Sequence, residues 1–141
     1  MIKWVVGGVV GLLLLYGAMN LLSYFDPLGR CYISLSVDLL DGDRAGLRRA
    51  ITTLKREDRA GYRLLCDHVS EVVERHCVNP MFVRPKAHAV PLAPGCYVRG
   101  SHAIYLKPDE GATDPAALAQ LRAAALKKYA GFSRDFWAVR R

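Results

Sequence analysis

From Trp4 to Leu22 the chain reads WVVGGVVGLLLLYGAMNLL, with no charged side chain. As a helix such a run rises roughly 28 Å, enough to cross a hydrocarbon core with little tilt. Trp4 at one end and Tyr24 with Phe25 at the other suit an interfacial aromatic belt. A cleaved signal peptide has a shorter apolar core, about 7–15 residues, followed by a small-x-small site. Here the run is longer, and Asn20 to Phe25 offers no such site. The pattern predicts an uncleaved single-pass anchor over 1–25 and one small domain over 26–141. The turn at Asp26-Pro27-Leu28-Gly29 is the expected joint.

Behind the joint the period changes. Cys31, Ile33, Leu35 and Val37 alternate with polar or aromatic neighbours, which predicts a half-buried strand over 31–37. Leu47, Ala50, Ile51 and Leu54 recur at helical spacing up to about Lys55, with Asp41 or Asp43 as the cap. Asp58 caps a second helix whose stripe is Tyr62, Leu65, Cys66, Val69, Val73, His76 and Cys77. That spacing predicts one helix running to Cys77, stopped by Asn79-Pro80.

Pro80 to Pro94 holds four prolines and predicts little regular structure beyond a short extended piece at Phe82-Val83. Residues 96–106 read as a hairpin with a turn using Gly100. Asp114-Pro115 opens a last helix, with Leu118, Leu121, Ala125 and Tyr129 as its buried stripe, Gly131 as its C-cap, and Phe132, Phe136 and Trp137 folding back on the core. The order predicts an α+β domain of about three helices on a small sheet, its hairpin paired with the 31–37 strand.

Charge adds direction. The chain carries formal net charge +7, and Lys3 is the only charged side chain before Asp26. Lys3 with the α-amino group, against Arg30 offset by Asp26 and Asp38, gives a bias of about one charge toward an inside N-terminus. Arg48, Arg49, Lys55, Arg56, Arg59 and Arg63 crowd two consecutive helices and are the candidate contact with anionic headgroups or cell-surface polymers. Glu57, Asp58 and Asp67 are placed to neutralise them locally. Gly7-x-x-x-Gly11 offers a small-residue face through which two spans could pair as a homodimer.

The four cysteines, Cys31, Cys66, Cys77 and Cys96, allow three pairings. On one helix the Cα atoms of Cys66 and Cys77 would stand roughly 16 Å apart, against the limit of about 7 Å for a disulfide. That leaves Cys31–Cys66 with Cys77–Cys96, or Cys31–Cys77 with Cys66–Cys96, and the short connection from Cys77 to Cys96 favours the first. Two disulfides imply an oxidising compartment.

No chemistry stands out beside this. His68, His76, His88 and His102 lack the spacing of a metal site, and no cofactor-binding or catalytic motif is present. The last helix carries no His-Glu-x-x-His pair. The expected product is a membrane-anchored protein, N-terminus cytoplasmic, with an extracytoplasmic binding or accessory domain. The alternatives are an envelope hydrolase, such as a zinc-peptidase-like fold lacking that pair, and a cytoplasm-facing basic domain that binds anionic lipid or nucleic acid, nucleic acid being the less expected partner.

Overall fold

The computed structural model describes residues 1–37, 42–76, 95–109 and 114–140. Helix α1, Ile2–Leu22, is long and apolar enough to cross a membrane, and none of its residues is buried against the rest of the chain. It runs without a linker into β1, Ser23–Asp26. Then follow β2 (Cys31–Ser36), α2 (Arg44–Glu57), α3 (Arg59–His68), β3 (Glu71–Glu74), β4 (Gly95–Tyr97), β5 (Ala103–Leu106) and α4 (Pro115–Ala138). The fold is α+β: the described residues form four helices and a five-stranded mixed sheet in the order β1-β2-β3-β5-β4.

Alternation along β2 sends Cys31, Ile33 and Leu35 to one face, where they are buried. Val72 of β3 with Ile104 and Leu106 of β5 extend that face. Against it pack Leu47, Ala50, Ile51 and Leu54 of α2, Leu65 of α3, and Leu126 with Ala130 of α4. Burying each of the leucine, isoleucine and valine side chains contributes about 1.5–3 kcal/mol relative to exposure. The caps are as the sequence suggests: Asp43, Asp58 and Asp114 accept from Gly46, Gly61 and Ala117 N–H.

Four expectations need correction. The Asp26–Gly29 turn does not join anchor to domain; it links two paired strands, with Ser23 to Asp26 opposite Ser34 to Cys31. The helix from Arg59 ends at His68 rather than Cys77. Val69 N–H still reaches Leu65 O, but Ser70 N–H leaves for His102 O at 2.9 Å and Ser70 O accepts from Ser34 N–H at 2.9 Å. Sheet partners on both sides satisfy that backbone, so the β-branched Val72 and Val73 extend into β3.

The hairpin exists, but β3 lies between it and β2: β5 pairs parallel with β3, and β4 forms the far edge. Finally, α4 does not stop at Gly131. Ser133 Oγ donates to His68 O at 3.0 Å and Ala130 is fully buried, so the helix continues along α3. Of its expected inward stripe, Ala125 and Tyr129 are buried. Leu121 is 54% exposed, while Arg122 and Leu126 are buried. Phe132, Phe136 and Trp137 are therefore part of α4 rather than a returning tail.

Candidate functional site

Side chains tie the end of α1 to the domain. Arg48 of α2 donates through Nη2 to the carbonyls of Asn20 and, at 3.2 Å, Ser23. A helix C-terminus leaves its last carbonyls without partners, and a guanidinium satisfies them while opposing the negative end of the helix dipole. Ser23 Oγ adds a bond to Met19 O. Tyr16 of α1 meets Phe25 of β1 edge-on, with ring centroids 6.3 Å apart, and Phe25 meets Tyr32 in the same way at 6.4 Å.

Arg48 also lines a groove of about 760 Å³ between α2 and the start of α4. Its α2 wall is Ala45, Arg48, Arg49, Thr52, Thr53 and Arg56; its α4 wall includes Ala116, Ala119 and Gln120. Thus three of the six candidate cations meet in one concavity. Lys55 turns the other way, to Asp26 at 2.5 Å and over the Tyr62 ring at 5.6 Å. Arg59 and Arg63 stand exposed on α3, outside the groove.

Local neutralisation is partial: Arg49 lies 3.5 Å from Asp43 and Arg56 3.0 Å from Glu57, both among exposed side chains. Pairs of that kind contribute about 0–1 kcal/mol and leave the cations available. Asp58 goes instead to Lys127, whose hydrogen bond, with that of Gly61 N–H, lowers the Asp58 pKa.

A second polar cluster sits where β1 meets α3. Asp26 accepts from Lys55, from Tyr62 Oη at 2.7 Å and from Gly29 N–H at 3.0 Å. These bonds, that of Lys55 foremost, lower its pKa to about 2. The same contact raises Lys55. Burial, then the bonds to Tyr24 and Asp26, push the Tyr62 phenol up. The cluster fastens β1 to α2 and α3.

Cys31, opposite Asp26 in the ladder, is joined to Cys66 with Cα atoms 5.0 Å apart. Cys96 is disulfide-bonded as well; Cys77 lies outside the described residues, as do His88, Asp41 and the Phe82-Val83 piece. The Cys31–Cys66 link is the favoured pairing, although the helical spacing used to exclude Cys66–Cys77 does not exist, because the helix ends between them.

His102 stacks on Trp137, centroids 5.0 Å apart, with Nδ1 at 3.0 Å from His68 O. Among the described residues no three His, Cys, Asp or Glu side chains converge as a metal site would need. Gly7 and Gly11 lie on the unburied α1 with open space beside both.

Sequence reasoning missed Thr52, Ala116 and Gln120 as groove residues. The run Arg48, Thr52, Arg56 at four-residue spacing was the available sign of a polar stripe, but nothing in the sequence told which helix would face it. Comparison with protein-family models, characterised proteins and solved structures finds no match.

Proposed function

We propose that this chain is a single-pass membrane protein whose domain is held outside the cytoplasm, directly on the bilayer, to bind a partner or serve an accessory role there. The observation that carries the reading is the joint: α1 becomes an edge strand with no linker, and Arg48 closes its last turn. An unburied helix of 21 apolar-rich residues needs an apolar surround. A cut just past the apolar run would fall in β1, a paired strand of the sheet, so the helix suits a retained anchor better than a removed signal.

The Cys31–Cys66 disulfide favours an oxidising compartment. With the small charge bias at Lys3 it supports a cytoplasmic N-terminus. The basic groove is the part of the domain suited to contact anionic headgroups or surface polymers. The spacing of Gly7 and Gly11 on α1 suits close approach of a second span. A cytoplasm-facing domain is the second reading, favoured by net charge +7 alone and opposed by the disulfide.

Alkaline carbonate extraction followed by N-terminal sequencing tests the anchor. Retention in the pellet with the residues around Lys3 and Trp4 intact is the expected result. Release into the supernatant, or a new N-terminus near Ser23, would overturn it.

A further inference from the structure

The geometry points to the α2–α4 groove as a binding site for the headgroup of one anionic phospholipid from the leaflet into which α1 inserts. The inference rests on the anchored reading and names the partner of its basic face.

Position is the first ground. Arg48 bonds the carbonyls of Asn20 and Ser23 and lines the groove. The groove therefore begins where the apolar helix ends, at the depth of the headgroups if α1 spans. Chemistry is the second. Arg48, Arg49 and Arg56 line the groove together with the polar residues Thr52, Thr53 and Gln120. Planar guanidinium forks match phosphate oxygens two at a time, which a lysine cannot do. Nη2 of Arg48 is committed to the carbonyls of Asn20 and Ser23, while its other donors bond none of the described residues.

Shape is the third. The open groove, of about 760 Å³, has room for a headgroup with its glycerol; small-molecule sites span about 300–1,000 Å³. Ala45, Ala116 and Ala119 supply an apolar wall beside the cations. Tethering does the rest. A site fixed to the leaflet meets its lipid at an effective concentration on the order of millimolar, so modest intrinsic affinity fills it.

The test uses the full-length protein in detergent micelles, titrated with phosphatidylglycerol or phosphatidylcholine and read by native mass spectrometry. One phosphatidylglycerol bound in preference to phosphatidylcholine is expected. Arg49→Gln with Arg56→Gln should weaken it by about tenfold or more, while Arg59→Gln with Arg63→Gln, outside the groove, should leave it unchanged.

Ala116→Phe keeps every charge and fills the groove, and should weaken binding too; it decides the matter if the arginine pair fails to fold. Equal loss in both arginine pairs, or no loss in Ala116→Phe, would reduce the site to diffuse attraction and overturn the proposal. So would equal binding of the two lipids, displacement by soluble glycerol phosphate, or displacement by an oligonucleotide. Carbonate extraction of the same variants separates the failures. A chain that stays in the membrane but shows no groove dependence loses only this inference, and a chain that leaves the membrane loses the anchor.

Discussion

Arg122 of α4 donates through Nη2 to Glu74 of β3 at 2.9 Å, with only 1% and 3% of the two side chains exposed. Glu74 accepts from Asp43 N–H at 3.0 Å with its other oxygen, and Arg122 donates to Lys107 O at 3.0 Å. The pair thus joins a strand, the cap of α2, the residue after β5, and α4. Among the described residues Nε and Nη1 of Arg122 find no hydrogen-bond partner, and burying a guanidinium carries a desolvation cost.

Removing one partner leaves the other charge buried. Arg122→Ala and Glu74→Ala should each destabilise the domain by about 3–5 kcal/mol. Arg122→Met with Glu74→Leu should cost far less than the two losses added. Chemical unfolding of the full-length protein in detergent, followed by Trp137 fluorescence, measures all three. A double variant as unstable as the sum would mean that the pair does not act as a unit.

Asp26 sets an acid limit. Its pKa lies at about 2 in the folded chain against 3.8 unperturbed, held down by Lys55, Tyr62 and Gly29. A depressed folded pKa gives stability that is present above the unfolded value and lost as pH falls through the folded one. The melting temperature should therefore drop between about pH 4 and pH 2. Asp26→Asn should flatten that fall and lower stability at neutral pH by about 1–3 kcal/mol. A wild-type profile unchanged in Asp26→Asn would assign the acid limit elsewhere.

Arg48→Gln should loosen the joint while sparing the domain core. Protease cleavage between α1 and β1 should rise several-fold in detergent, with the cooperative unfolding transition of the domain retained. Cleavage no faster than wild type would show that the sheet alone holds Ser23 in place.

Some of this was legible in the residues and some was not. Strand β2 announced itself by strict alternation and α2 by its caps and spacing. Strand β3 did not, because Val69 and Val73 prolong the three-four spacing of Tyr62, Leu65 and Cys66. Only Ser34 and His102, distant in sequence, reveal that the Ser70 backbone has sheet partners. Strand β1 hides behind the apolar run that precedes it. In α4 the alanines make every face plausible, and the buried one is chosen by Glu74, which draws Arg122 inward and turns Leu121 out. The six clustered cations were visible, but the groove that selects Arg48, Arg49 and Arg56 is made by α4 and has no local signature.

Peptide mapping without reduction should recover a Cys31–Cys66 cross-link and, for the remaining two cysteines, Cys77–Cys96. Replacing Cys31 and Cys66 by Ser should cost about 2–5 kcal/mol. Four alkylatable thiols in the native protein would place the domain in a reducing compartment.

The most direct test of the anchored, extracytoplasmic reading is a pair of C-terminal reporter fusions to the full chain, one active only outside the cytoplasm and one only inside. Activity of the outside reporter in the membrane fraction, with the inside reporter silent, is the predicted result; the reverse pattern would contradict the account and put the basic domain in the cytoplasm.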